Sequence, residues 1–219
     1  MFKQLTVLDA TQVAQLVKIA AQAQFVDGKI SNPHSKVKHN QQLHDAAAYQ
    51  TSSQLLSDAL TQNREFQDFA FPQRFAPPLI ARYQPGMSYG LHPDSAMIPL
   101  PDGPLRSDLS CTIFLNPPDA YQGGALHIKL GEVDLRFKGL PGTAILYPSN
   151  TLHEVEPVTG GERLVAITFV QSRIADEGKR TLLYELNEVA ALEGLNMMHD
   201  NYTRLQSVQF NLARMWQEF

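Results

Sequence analysis

Ala125-Leu126-His127-Ile128-Lys129-Leu130-Gly131-Glu132-Val133-Asp134-Leu135-Arg136-Phe137 carries the reading that decides the fold. Two β-rich runs, 125–130 and 132–137, meet at Leu130-Gly131-Glu132, which reads as a tight hairpin. The same texture extends on both sides. From 78 to 172 the chain consists of short β-rich runs punctuated by Gly and Pro, the pattern of an antiparallel sandwich or barrel. Further strands are expected at 79–83, 110–115, 143–147 and 163–171, with another turn at 139–142. So many short strands in about a hundred residues suit a double-sheet jelly roll, or double-stranded β-helix.

Helical patterning lies outside that region. Asp9 is placed to cap a helix whose apolar residues are Val13, Leu16, Val17 and Ala20. Residues 25–29 read as a turn, and 41–66 as a second helical stretch carrying Leu43, Leu55, Leu56 and Leu60. Beyond Arg173, Leu182, Leu183, Leu186, Val189 and Ala190 form one apolar stripe, and Leu205, Val208, Leu212, Met215 and Trp216 another. These stripes read as core or as a dimer surface, so a homodimer through the terminal helices is an expectation. The expected class is α+β: N-terminal helical support (1–77), a jelly-roll core (78–173) and a C-terminal helical segment (174–219).

Bulk properties narrow the function. The 219 residues, 43% hydrophobic and 18% charged, are ordinary for a globular protein. A net charge of −4 argues against nucleic acid, which normally needs a basic face. No apolar run reaches the roughly 20 residues that span a bilayer, and the N-terminus does not read as a signal peptide. The single cysteine, Cys111, lies in an apolar run and reads as a buried small residue. The expected location is the cytoplasm.

His92-Pro93-Asp94 and His153 offer two imidazoles and a carboxylate, the donor set of a facial triad for divalent iron with open positions left over. Residues two apart on an extended strand share a face, and Pro93, lacking an N–H, belongs at a strand end or edge. His153 follows a turn that leads out of the apolar strand 143–147. Arg163 opens a strand apolar on both faces. Inside a barrel its guanidinium needs an anion, either a bound carboxylate or a protein acid such as Glu132 or Asp134. Tyr89 and Arg106 are candidates to contact substrate or a lid formed by the Pro- and Gly-rich segment 95–106. His34, His39, His44, His127 and His199 have no such company and read as structural or solvent-facing.

The run 82–94, Arg-Tyr-Gln-Pro-Gly-Met-Ser-Tyr-Gly-Leu-His-Pro-Asp, resembles the start of the catalytic core of prolyl-4-hydroxylase-type iron and 2-oxoglutarate dioxygenases. Tyr121-Gln122-Gly123-Gly124, Pro141-Gly142-Thr143, His153-Glu154-Val155 and Arg163 continue it in order, and the chain is similar to the PKHD-type hydroxylases. Phe25-Val26-Asp27-Gly28 and Asn40-Gln41-Gln42-Leu43 also resemble the N-terminal helices of that subgroup. The family's usual Glu after Gly-Gly is replaced by Ala125.

The resemblance implies Fe(II) held by His92, Asp94 and His153, and 2-oxoglutarate paired with Arg163 and hydrogen-bonded by Tyr83. It also implies L-ascorbate as reductant, dioxygen as co-substrate, and hydroxylation of a small-molecule or peptidyl substrate with release of succinate and carbon dioxide. Two other classes stay open on the residues alone. One is a non-catalytic ligand-binding jelly roll; the other is a cupin-like metal-dependent isomerase or hydrolase, whose zinc would accept the same donors.

Overall fold

The computed structural model describes residues 1–218. The N-terminal part runs β1 (Lys3–Thr6), α1 (Ala10–Gln22), β2 (Phe25–Asp27), a 3-10 turn (Gly28–Ser31), β3 (Lys38–His39), β4 (Gln41–Leu43), α2 (Ala46–Gln62) and α3 (Arg64–Ala70). The β-rich middle comprises β5 (Pro72–Phe75), β6 (Leu79–Tyr83), β7 (Ser88–His92), β8 (Met97–Ile98), β9 (Leu105–Arg106) and β10 (Leu109–Phe114). It continues through β11 (Tyr121–Gly123), β12 (Leu126–Leu130), β13 (Val133–Phe137), β14 (Thr143–Pro148), β15 (Leu152–Val155), β16 (Val158–Gly161) and β17 (Arg163–Ser172). A 3-10 turn (Gly194–Asn196) separates α4 (Glu177–Glu193) from α5 (His199–Trp216).

Every pairing between these strands is antiparallel. An eight-stranded major sheet has the order β1-β14-β10-β17-β6-β4-β2, with β5 also on β17. A five-stranded minor sheet runs β13-β12-β15-β7-β3, and β11–β16 and β8–β9 form two small ribbons. The hairpin at Gly131 forms as expected: Leu130 pairs with Val133, and Gly131 takes φ +64°, open to a residue without Cβ.

Two apolar clusters hold the layers together. One lies between the major sheet and the helices, with Leu16, Leu56, Phe66, Ile80, Ile113 and Leu164. The other lies between the sheets: Tyr83, Ile145 and Val165 of the major sheet meet Leu126, Ile128 and Val155 of the minor one. Strand β17 is buried on both faces along its first half, as its sequence predicts.

The N-terminal region departs from the sequence reading. Residues 25–27 are not a turn but a strand that pairs with 41–43, and the pair extends the major sheet. The two N-terminal motifs are therefore strands rather than helices. The helix expected over 41–66 is two helices. Asp45 accepts from the Ala48 N–H and starts α2; Asn63 accepts from the Phe66 N–H and starts α3. Short polar side chains that bond neighbouring N–H groups favour caps over helix interiors, which is why the break falls at Asn63. Residues 1–77 thus supply strands β1–β5 as well as helices.

At the other end, Leu183 and Tyr184 anchor α4, Tyr184 packing edge-on to Phe69 at 5.2 Å. Helix α5 buries no residue. Arg106 is not available to substrate. It binds Asp108 (2.8 Å), Glu218 (2.9 Å) and the Ser172 carbonyl (3.0 Å), tying the β8–β9 ribbon to the C-terminus. Among the described residues no helix is long and apolar enough to cross a membrane.

Candidate metal centre

Strands β7 and β15 are neighbours in the minor sheet, and His92 and His153 stand opposite each other. Residues so paired share a face, here the one turned towards the major sheet. Each Nδ1 is committed to a backbone carbonyl: His92 to Gly90 at 2.7 Å and His153 to Thr151 at 2.9 Å. With Nδ1–H donating, each Nε2 is left bare and aimed inwards, the tautomer a metal requires.

Asp94 lies two residues past the end of β7, where Pro93 interrupts the ladder. Its N–H donates to the Ser149 carbonyl at 3.1 Å. Its Oδ2 accepts from Ser110 Oγ at 2.5 Å, and Ser110 is bonded in turn to Ser149 Oγ at 2.8 Å. Asp94 Oδ1 is 3.9 Å from His92 Nε2, and Oδ2 is 3.6 Å from His153 Nε2. The three donors, all within 4.8 Å of one another, fit a single ion bonded at about 2.1 Å to each. Burial, followed by the neighbouring His153, holds the His92 imidazolium below its usual 6.5, which favours the neutral ligating form.

Aromatic rings brace the imidazoles. Tyr89 stacks on His92 with centroids 3.6 Å apart, and Tyr147 meets His153 edge-on at 5.0 Å. Burial pushes the Tyr147 phenol well above 10.0; the Asp94 charge pushes the same way and the Arg163 charge opposes it. One buried phenol therefore senses both the carboxylate and the guanidinium.

Arg163 is 1% exposed and pairs with Tyr83 across β17 and β6, its guanidinium carbon 4.9 Å from the Tyr83 ring. The protein-acid partners left open by the sequence are not there. Asp134 instead lies 3.1 Å from His127, and Glu132 is exposed. Arg163 Nε and the buried Tyr121 hydroxyl both lack a well-aligned hydrogen-bond partner. A buried, unpaired guanidinium is costly, and a planar carboxylate matches its fork. Burial raises the Tyr83 phenol, partly offset by Arg163 and by a hydrogen bond with Asn40.

Sequence reasoning brought His92, Asp94, His153, Arg163 and Tyr83 forward, and the fold gathers them into one interior. It missed Ser110, Ser149, Tyr121 and Tyr147. Tyr121 begins the Tyr-Gln-Gly-Gly motif, and Tyr147 and Ser149 flank Pro148 just ahead of His153, so position along the chain was the one available signal. Of the other histidines, His127 is buried between Glu154 (2.7 Å) and Asp134 (3.1 Å), while His34, His39, His44 and His199 are exposed.

Residues 78–171 match the 2OG-Fe(II) oxygenase superfamily. Over 216 residues the chain is 65% identical to a PKHD-type hydroxylase of Sphingopyxis alaskensis, covering 99% of both chains. A prolyl-4-hydroxylase of Pseudomonas putida aligns with TM-score 0.52 and 23% identity over 78% of this chain and 92% of that one. A prolyl hydroxylase of Trichoplax adhaerens, solved with a peptide fragment of the hypoxia inducible factor oxygen degradation domain, aligns with TM-score 0.55 and 17% identity over 83% and 86%. The structural likenesses speak to fold alone, whereas the end-to-end identity with the Sphingopyxis protein speaks to kinship. The chain belongs to the PKHD-type hydroxylases, 2-oxoglutarate-dependent dioxygenases of the 2OG-Fe(II) oxygenase superfamily.

Proposed function

We propose that the chain hydroxylates a small-molecule or peptidyl substrate with His92, Asp94 and His153 as the Fe(II) ligands and Arg163 as the anchor for 2-oxoglutarate. The observation that carries this reading is the buried Arg163 guanidinium, without a protein acid, in the same interior as the His-Asp-His cluster. A hydrolytic zinc site has no use for such a cation. The order of the central strands, β14-β10-β17-β6 facing β13-β12-β15-β7, supports the double-stranded β-helix core.

The bound iron, 2-oxoglutarate and dioxygen supply oxidative decarboxylation to succinate and carbon dioxide, with one oxygen atom delivered to a substrate C–H bond. The chain's own groups bind and orient. Ser110 and Ser149 aim the Asp94 carboxylate, and the backbone carbonyls of Gly90 and Thr151 fix the imidazole tautomers. The Arg163 fork, beside the Tyr83 ring, would hold a carboxylate of the oxoacid. The apolar cluster between the sheets excludes water, which strengthens each of these polar contacts.

Ascorbate as reductant, a cytoplasmic setting and a homodimer through the terminal helices complete the proposal. The first rests on family likeness and the second on the lone, buried Cys111. The third rests on the exposure of Leu192, Leu195, Met198 and Met215. A peptidyl substrate has a precedent in the peptide complex of the Trichoplax neighbour.

The deciding experiment is anaerobic titration of the Fe(II)-loaded protein with 2-oxoglutarate, followed by succinate assay on admitting oxygen. A weak visible charge-transfer band is expected, lost in His153→Ala. In Arg163→Ala, 2-oxoglutarate should bind roughly two orders of magnitude more weakly, since truncating one partner of a buried charge pair costs about 2–5 kcal/mol. A wild-type protein with no band and no succinate would return the site to the ligand-binding or cupin-like readings.

A further inference from the structure

Residues 38–43 cross from one sheet to the other. Strand β3 pairs with β7 at the edge of the minor sheet, Lys38 opposite Tyr89. Strand β4 pairs with β6 in the major sheet, Gln42 opposite Ala81. Tyr89 and Ala81 both belong to the apolar cluster between the sheets, so Lys38 and Gln42 face that interior. Asn40, between the two strands, is buried with its Oδ1 turned to Gly28, where a Cβ would lie 1.9 Å from it. The alternate residues point away: Gln41 Oε1 accepts from Arg82 at 2.7 Å, and Leu43 packs under the helices.

Lys38 and Gln42, with Asn40 between them, are polar, buried and under-satisfied. Lys38, Asn40 and Gln42 are 7%, 3% and 9% exposed. Asn40 Oδ1 and Gln42 Oε1 have no hydrogen-bond partner. Lys38 Nζ donates to Ser31 Oγ at 2.7 Å and sits 5.5 Å from the centroid of Tyr89, the ring that stacks on His92. An ammonium has three N–H donors, and burying one without a counter-ion is costly. Asp94 and Asp27 act on Lys38 from beyond ion-pair distance, the first committed to the metal and the second capping the Lys29 N–H, so Lys38 has no paired anion among the described residues.

We infer that Lys38 and Gln42 form a substrate-recognition strip, and that the substrate carries an anionic oxygen group, carboxylate or phosphate, bound by Lys38 Nζ. A donor group elsewhere on the same substrate satisfies the carbonyl oxygen of Gln42. This rests on the dioxygenase reading, because it takes the space between the sheets as the place where substrate meets metal. The strip lies outside residues 78–171, so the shared core would hold iron and oxoacid while the N-terminal strands select the substrate.

The test uses protein loaded with Zn(II) and N-oxalylglycine, an unreactive 2-oxoglutarate analogue that occupies Arg163. In phosphate-free buffer it is titrated separately with acetate, inorganic phosphate and, as neutral control, acetamide, following the backbone amide resonances of Ser31, Lys38 and Tyr89. Saturable shifts are expected with at least one anion and none with acetamide; the tighter anion identifies carboxylate or phosphate. Lys38→Gln should weaken that binding at least tenfold, while Lys38→Arg retains it. Ser31→Ala should also retain it, since it removes the hydrogen bond but not the charge. No saturable shift with either anion in the wild type, or equal affinity in Lys38→Gln, overturns the inference. If N-oxalylglycine itself does not bind, the dioxygenase reading falls, and the inference with it.

Discussion

Asp94 shows how a single carboxylate is prepared for a metal. Ser110 of β10 donates to its Oδ2 at 2.5 Å, and Ser149, in the turn after β14, bonds Ser110 at 2.8 Å and accepts the Asp94 N–H at its carbonyl at 3.1 Å. Partners that orient a ligand are commonly worth a factor of about 10–100 in metal affinity. Ser110→Ala is therefore expected to weaken Fe(II) binding by that order while leaving the fold intact, measurable by competition with a chromogenic chelator. The adjacent Cys111 faces the opposite way, into the helix-side core, where burial pushes its thiol up to about 12. A thiol whose folded pKa is raised from 9.0 contributes stability that is intact below pH 9 and lost as pH rises towards 12. Native protein should resist iodoacetamide at pH 8 and react only after unfolding in urea. Rapid alkylation of the folded protein would show that the strand opens locally.

Among the elements, the N-terminal strands are the least self-sufficient, being two to four residues long and dependent on neighbours for every ladder bond. Their geometry hinges on Gly28, whose N–H donates to the Asn40 carbonyl at 2.8 Å. A Cβ at Gly28 would lie 1.9 Å from Asn40 Oδ1. Gly28→Ala should therefore displace Asn40 and cost about 1–3 kcal/mol, read by urea unfolding. The cap at Asp45 is a milder case. Asp45→Ala should cost about 1 kcal/mol by freeing the Ala48 N–H, with iron binding unchanged. The helix boundary there escaped the sequence reading because the apolar spacing of 41–66 spans a strand, a cap and a break without interruption.

On the scale of the whole molecule, the helix-side face of the major sheet is covered by α1, α2 and α3, while the α4–α5 hairpin leaves apolar side chains in the open. Leu192, Leu195 and Met198 are 73%, 95% and 77% exposed around its turn. Large apolar side chains this exposed and this close along the chain are candidates for an interaction site. Sedimentation of the wild type should give a dimer, and replacing Leu192, Leu195 and Met198 together with Gln should give a monomer that still binds iron. A monomeric wild type would remove the dimer from the proposal.

The chain's sequence by itself determined the antiparallel β-rich centre, the hairpin at Gly131 and the residues whose chemistry matters: His92, Asp94, His153 and Arg163. Those features are local, since turn residues, period-two runs and unusual donor types can be read without knowing what lies opposite. Only the tertiary structure decided which side chains stand around them. Tyr147 and Ser110 come from strands paired through ladders that no spacing encodes, and Lys38 and Gln42 reach the interior because a short segment changes sheets. Strand pairing is long-range, so the residues that hold, brace and surround the site could be known only once the sheets had closed over it.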